Sequence, residues 1–289
     1  MNTLDLIKDI DGMDCRIVEI VPENTTVLWG VAPTGDIHLG YAPYILLLRK
    51  LKALGCKIIP LIANYHAYLD SSKTSWSDID QRTIHYQETF HAAGLDHILE
   101  SKDVYHSPSY IEALFRISGL LRVDDTVAAG DTILASHSDN ISIADLIYVS
   151  TQILDIDFFD VDIVVCGIDE SPIYKYGLPV LQNAPYHRDC SYIYVPMCPG
   201  VLKKEMHSSD SIDNKILLSD GLDTIMDKLT HHKSLFSNSF PLADYYKQVL
   251  FPLSEQAIVS RYQVSDMLST KEVARGIECI INEIMGNTP

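Results

Sequence analysis

The stretch "WGVAPTGDIHLGY", Trp29 to Tyr41, places a proline, three glycines and a histidine between apolar flanks. Pro33 and Gly35 shape a tight turn after a strand, and His38 and Gly40 open a helix. The free N–H groups at such a helix start, together with its positive dipole end, form an anion site. His38 stands where an imidazole N–H can meet a phosphate, and Thr34 lies in the same turn. Gly30 and Gly40 leave room for a nucleotide to approach the backbone. The competing reading is a glycine-rich turn with a structural histidine. Downstream, "KKEMHSSD" brings Lys203, Lys204, Ser208 and Ser209 into one polar loop. Tyr148, Gln152 and Asp155 are spaced by four and three residues, which puts them on one face of a helix. A buried aspartate there needs a partner.

The elements that must position these groups alternate in type. "NTTVLWGVA" reads as a buried strand, and "APYILLLRKLKALG" as a helix stopped at Gly55. "CKIIPLIANYHAYLD" reads as a second strand running into a polar loop. "DIDQRTIHYQETFHAAGL", "PSYIEALFRISGLL" and "ISIADLIYVSTQILDIDFF" read as helices. "VDIVVCGIDE" is a strand with Asp169 and Glu170 at its end; "PIYKYGLPVLQ" follows as a helix and "CSYIYVPM" as a strand, with Met197 at its end. Apolar strands alternating with helices predict an α/β fold with a parallel sheet covered on both faces, and ligands just past the strand ends. After about Lys215 the strand signals fade, so residues 1–215 are expected to form the sheet domain and 216–289 a small α-helical C-terminal domain. "HHKSLFSNSFP", His231 to Pro241, is expected to be a flexible loop with both histidines exposed to solvent rather than ligating a metal.

Composition narrows the class. The chain has 289 residues, 47% hydrophobic and 21% charged, with six cysteines. No apolar run is long enough for a membrane span, and the acidic N-terminus is unlike a signal peptide. The cysteines contain no CxxC pair and read as reduced thiols, so a cytoplasmic setting without a bound metal is expected. The net charge is −17, from 22 Lys and Arg against 39 Asp and Glu, which argues against a broad polyanion-binding surface.

"PTGDIHLG" resembles the HIGH signature of class I aminoacyl-tRNA synthetases. "LIANYHAYLD", "DLIYVSTQILDIDFFDVDIVVCGIDES" and "YVPMCPGVLKKEMHSSDSIDNKI" follow in the order of the archaeal and eukaryotic tyrosyl-tRNA synthetases, and "YYKQVLFPL" resembles the start of that family's C-terminal domain. The resemblance implies a Rossmann-type catalytic domain and a C-terminal domain akin to the anticodon-binding one. It implies ATP with Mg2+ as a substrate, and no tightly bound organic cofactor. A homodimer joined near mid-chain is also implied. The chemistry implied is attack of an amino-acid carboxylate on the α-phosphate, giving an aminoacyl-adenylate and pyrophosphate. ATP would be held by Gly30, Pro33, Thr34, His38, Gly40, Met197, Lys203 and Lys204, with His38, Lys204, Ser208 and Ser209 assisting the reaction. The amino acid would lie among Leu28, Gly30, His66, Tyr148, Gln152, Asp155, Asp169 and Glu170. Tyr148, Gln152 and Glu170 would hold its α-amino group, and Asp155 its phenol hydroxyl. Tyr68 is expected beside His66 in the pocket wall, and Trp76 to be packing.

Three departures bear on the carry-over. Leu28 replaces the family's hydroxyl-binding tyrosine and leaves Asp155 as the remaining ring-end polar group, so tyrosine, another aromatic amino acid or a modified tyrosine all fit. Glu205 and His207 replace two residues of the Lys-Met-Ser-Ser-Ser loop, with Lys204 one place upstream. Between Val123 and Glu170 there are 11 Asp or Glu and no Lys or Arg; from Ile216 onward there are 6 basic and 9 acidic residues, and the C-terminal region is shortened. Three functions are therefore carried forward: a tyrosine–tRNA ligase, a paralogue passing an aromatic adenylate to another acceptor, and an inactive binding module.

Overall fold

The computed structural model describes residues 10–16, 23–70, 74–131, 141–183, 185–202, 205–236, 239–255 and 268–287. Its centre is a six-stranded sheet: β1 (Asp14–Arg16), β2 (Thr26–Val31), β3 (Lys57–Ile62), β4 (Leu99–Glu100), β5 (Ile163–Gly167) and β6 (Ser191–Val195). The order across the sheet is β1-β6-β5-β2-β3-β4. All neighbours pair in parallel except β1, which runs antiparallel to β6 at the edge. The sheet is thus parallel as expected, with an added antiparallel edge of three residues too short to leave a periodic signal.

Helix α1 (Ala42–Ala53) crosses from β2 to β3. It stops where expected, because Gly55 takes a left-handed φ of 98° and donates its N–H to Lys52 O. After β3 the expected polar loop is instead a short helix, α2 (Asn64–Leu69), whose Asn64, His66 and Ala67 are buried. Helix α3 (Trp76–Ala92) is capped by Ser75, and α4 (Ser101–Val104) leads into α5 (Pro108–Ser118), capped by Ser107. Then come α6 (Val123–Gly130) and α7 (Ile143–Phe158). A capping box between Ser142 and Asp145 starts α7 and fixes which face of it meets the sheet. Helix α8 (Ser171–Gln182) returns from β5 to β6.

Past residue 216 the described elements are helical, as expected: α9 (Leu222–Leu235), α10 (Pro241–Tyr245), a π-turn (Tyr246–Leu250), α11 (Phe251–Leu253) and α12 (Thr270–Ile284). The expected helix "IVSRYQVSDML" lies largely outside the described residues. The expected flexible loop at His231 is a correction. Helix α9 runs through Leu235, and His232 is fully buried, ringed by Phe236 and Phe240, with Nδ1 3.1 Å from Val201 O. Among the described residues no three His, Cys, Asp or Glu side chains gather as metal ligands.

Two apolar clusters cover the sheet. One joins Trp29 and the inner face of α1 to Leu242, Val249, Ile277 and Ile280 of the C-terminal helices. The other joins Leu28 and Leu61 to α7 and α8 and includes Tyr105 and Tyr110. Adjacent β2 residues thus face opposite layers, as pleating requires.

Candidate active site

β2 and β5 are neighbours, and the crossover after β2 runs to β3 on one side while the crossover after β5 runs to β6 on the other. That divergence opens a crevice at the carboxyl ends of β2 and β5, where open α/β sheets take ligands. Two cavities meet there. Gly30, Val31, Ala32, Tyr148 and Glu170 line both. The outer cavity continues past Thr34, His38, Gly40 and Met197 to Ser208; the inner one runs past Leu28, His66 and Gln152 to Asp155.

The outer wall is built from the glycine-rich turn. A side chain on Gly30 would meet no atom within 4 Å, so its lack of one keeps the cavity junction open. Gly40 is small for another reason than expected: a Cβ there would lie 2.7 Å from the His38 ring. His38 Nδ1 accepts the Gly40 N–H at 3.1 Å, capping the one-turn helix Leu39–Tyr41. Burial, with a smaller contribution from Lys215, pushes His38 down to about 3. The ring is therefore neutral at physiological pH, and with Nδ1 accepting, its proton is on Nε2. Thr34 and Ser208 share a hydroxyl–hydroxyl hydrogen bond of 2.6 Å. Arg82 of α3 donates to Thr34 O at 2.9 Å. Pro33 is buried behind the turn, Ser209 is exposed, and neither lines a cavity. Lys203 and Lys204 lie outside the described residues.

At the end of β5, Glu170 folds back so that Oε2 accepts the Gly167 N–H at 2.9 Å while Oε1 accepts from Gln152 Nε2 at 2.8 Å. A Cβ at Gly167 would lie 2.1 Å from Asp169 Oδ1, so only glycine lets that carboxylate turn inward. Burial raises Asp169, and burial with the neighbouring Asp169 raises Glu170. Gln152 Nε2 also donates to Tyr174 OH at 3.2 Å, and its buried Oε1 has no hydrogen-bond partner among the described residues. Carboxyl and carbonyl oxygens gathered this closely are able to accept from a cationic donor.

The inner end departs from expectation. Asp155 is not left alone by Leu28. Tyr105 OH donates to its Oδ2 at 2.5 Å and Tyr110 OH to its Oδ1 at 2.7 Å. Burial still pushes Asp155 up to about 7, against the pull of both phenols. The two tyrosine rings stack at 4.1 Å. His66 lines the pocket as expected, with Nε2 3.2 Å from Thr151 Oγ1 and its ring edge-on to Tyr148 at 4.5 Å. Burial lowers it to about 4, so it too is neutral. Tyr68 does not join it; it is half exposed and stacks on Trp76 at 4.7 Å. Tyr105, Tyr110 and Tyr174 were not marked by any spacing in the chain, which holds 16 tyrosines. The nearest signal was the physical demand that a buried aspartate have partners.

Known proteins of one family are similar to this chain. A family model described as tRNA synthetases class I (W and Y) matches residues 22–281. The cytoplasmic tyrosine–tRNA ligase of Gallus gallus is 27% identical over 268 residues, covering 88% of this chain and 50% of the relative. A probable cytoplasmic tyrosine–tRNA ligase of Vairimorpha ceranae is 28% identical over 257 residues, 85% of this chain and 75% of the relative. The chain thus spans about half the length of the vertebrate relatives it matches. The tyrosyl-tRNA synthetase of Archaeoglobus fulgidus, solved with L-tyrosine, superposes with a TM-score of 0.77 at 19% identity, covering 99% of this chain and 98% of that one. That of Leishmania major, solved with tyrosinol, gives 0.78 at 18% identity over 98% of this chain and 62% of that one.

Proposed function

The chain belongs to the class I tRNA synthetases (W and Y), and from that premise we propose that it activates tyrosine with ATP and passes the tyrosyl group to tRNA. The observation that carries this reading is the junction of the two cavities at Gly30, Tyr148 and Glu170. One cavity is bounded by the glycine-rich turn, whose N–H groups at Leu39, Gly40 and Tyr41 are taken up within the protein, so that the donor it offers a phosphate is His38 Nε2–H rather than the expected free helix N–H groups. The other ends at a carboxylate able to accept a phenol.

In this reading tyrosine enters the inner cavity ring-first. Its hydroxyl reaches Asp155, and its ammonium meets Gln152 Oε1 and Glu170. The ammonium favours the ionised form of the raised carboxyls it touches. ATP, delivered as its Mg2+ complex, lies in the outer cavity with its phosphates along Thr34, His38 and Ser208. A tyrosine carboxylate oxygen then bonds to the α-phosphorus while the bond from that phosphorus to the bridging oxygen of the β-phosphate breaks. The electron pair leaves with pyrophosphate. No side chain is acylated or phosphorylated. The protein contributes position and charge stabilisation, with the His38 Nε2–H as a neutral donor to a phosphoryl oxygen. Lys203, Lys204 and Ser209 belong to the same proposal through the family resemblance of their loop, as residues assisting the departure of pyrophosphate.

The named cytoplasmic ligases support tRNA as acceptor and the cytoplasm as the compartment. No helix among the described residues is long and apolar enough to cross a membrane. The apolar side chains Phe115, Val123 and Ile143 of α5, α6 and α7 are 74%, 62% and 76% exposed, and pairing of two chains, as the family resemblance implies, would cover such side chains. The test is amino-acid-dependent ATP–pyrophosphate exchange across phenylalanine, tyrosine, tryptophan and O-methyltyrosine, followed by charging of total tRNA. Exchange with tyrosine and charged tRNA are expected; exchange without charging would refute tRNA as acceptor.

A further inference from the structure

The loop carrying Ser208 and the glycine-rich turn are joined by antiparallel pairing just beyond the loop. Leu39 N–H donates to Ile216 O at 2.7 Å, Leu218 N–H donates to Ile37 O at 3.2 Å, and His38 bridges Leu217. Lys215 immediately precedes this pairing. Its side chain is only 3% exposed; Nζ donates to Ser208 O at 2.9 Å and lies 3.8 Å from Asp36 Oδ2. Ser208 is held from its other side by the Thr34 hydroxyl, and its carbonyl lies where a Cβ on Gly35 would be, 1.7 Å away. One ammonium thus pins the loop backbone where it crosses the turn.

A lysine is rarely buried this deeply without a full set of partners. Here the near carboxylate is on a mostly exposed residue and stands beyond hydrogen-bond reach. An ammonium has three donors; among the described residues Nζ has one backbone carbonyl at hydrogen-bond distance, with the charges of Asp36 and Asp210 acting on it from further off, which leaves capacity for further anionic contact. The other cation at this turn, Arg82, approaches through Thr34 O. Glu205 stands where the signature calls for a lysine, and its carboxylate is 3.5 Å from His207 Nε2.

We infer that Lys215 is a positioning residue for the phosphate end of the site: it fixes Ser208 against Thr34 and sets a positive charge beneath the ATP phosphates, a charge that Glu205 cannot supply. This rests on the ATP-dependent reading above, and extends it to a residue outside both signature motifs. The field of a buried cation acts on phosphate through a low-dielectric path, so it need not touch the ligand to matter.

ATP affinity by calorimetry, without amino acid, and exchange kinetics are compared for the parent, Lys215→Gln and Lys215→Arg. Glutamine can still donate to Ser208 O but carries no charge. The Lys215→Gln variant is expected to bind ATP at least tenfold more weakly and to lose at least tenfold in exchange kcat, with the tyrosine KM within twofold of the parent. Parent-like ATP binding in that variant overturns the inference, as does a tyrosine KM that rises in step with the loss of kcat. Should the glutamine variant fail to fold by circular dichroism, Lys215→Arg decides: ATP affinity within threefold of the parent supports the role of charge, and a folded arginine variant tenfold weaker refutes it. Lys215-dependent ATP binding in a protein that exchanges with no aromatic amino acid would support this inference and refute tyrosine activation.

Discussion

Tyr105 OH donates to Asp155 Oδ2 at 2.5 Å across 50 residues of sequence. Leu28 lines the same cavity and has no hydroxyl to offer. Tyr105 is buried and does not itself line the cavity, so it acts on a ligand through the carboxylate it orients. Together with Tyr110 it occupies one lone-pair direction on each Asp155 oxygen, and the two that remain can face a substrate hydroxyl.

Asp155→Ala is therefore expected to abolish preference for a hydroxylated ring, measured as the ratio of kcat/KM for tyrosine over phenylalanine in exchange. Tyr105→Phe keeps the carboxylate but removes one hydrogen bond to it. A bond to a charged group is worth about 1.5–3 kcal/mol, so a drop in that ratio of roughly ten- to a hundredfold is expected. Asp155→Ala also strands two buried phenol hydroxyls, at about 1–3 kcal/mol each, and a lowered Tm should accompany it. A parent-like ratio in Asp155→Ala would show that the ring does not end there.

The same carboxyl predicts a pH dependence. Its folded pKa, about 7, is raised above the ordinary carboxylate range chiefly by burial. The folded protein thus binds more protons than the unfolded chain between about pH 4 and 7, and the Asp155 contribution to stability falls as pH rises through that window. Substrate binding runs the other way, because a phenol donor favours the ionised acceptor. The tyrosine KM is expected to fall as pH rises from 6 to 8, and to fall less steeply in Asp155→Asn, where the raised Glu170 still titrates; equal slopes in parent and variant would rule out titration of Asp155 in this range.

How much of this was legible in the chain depends on the range over which each residue finds its partner. α1 with its Gly55 stop and the placing of Tyr148, Gln152 and Asp155 on one face of α7 are local patterns, and they read correctly; the turn after β2 did not read fully, because the Gly40 N–H is taken by His38 and the Leu39 N–H by Ile216 O. The partners of Asp155 come from α5 and the turn before it, and no spacing within α7 announces them. The polar run containing His232 read as a loop because the aromatic side chains that bury the ring, Phe236 and Phe240, close on it only in three dimensions. Lys215 carries no local signal for the same reason: its burial beside the turn follows from the pairing of residues 37–39 with 216–218.

His38 separates two roles in one ring. Nδ1 caps the Gly40 N–H, and in the proposed reaction Nε2 is the donor to phosphate. His38→Ala removes both and is expected to lower exchange kcat about 10²–10³-fold, the range for losing one preorganised donor. His38→Asn supplies a short carbonyl acceptor and an N–H donor, and part of the rate should return. Since His38 is held neutral down to about pH 3, the rate it supports should not titrate between pH 5 and 8. A kcat limb near pH 6 that disappears in His38→Asn would refute the neutral-donor role.

Gly30 distinguishes a glycine that serves the ligand from one that serves the fold. At Gly177 in α8, an added Cβ would lie 2.5 Å from Ile153, inside the packed layer between α7 and α8. Gly177→Ala is therefore expected to cost stability, about 1–3 kcal/mol for an overpacked core. At Gly30 the same Cβ meets no protein atom within 4 Å and projects where the two cavities join. The strand backbone gains from losing glycine's conformational freedom, so Gly30→Ala should unfold at or slightly above the parent Tm. Its cost should fall on the ligands: the methyl group occupies space that the tyrosine carboxylate and the α-phosphate must share during attack. KM for both tyrosine and ATP is expected to rise at least tenfold in exchange, while Gly177→Ala leaves both near the parent in the fraction that stays folded. Equal losses of Tm in the two variants, or undisturbed KM values in Gly30→Ala, would place the meeting point of the substrates elsewhere.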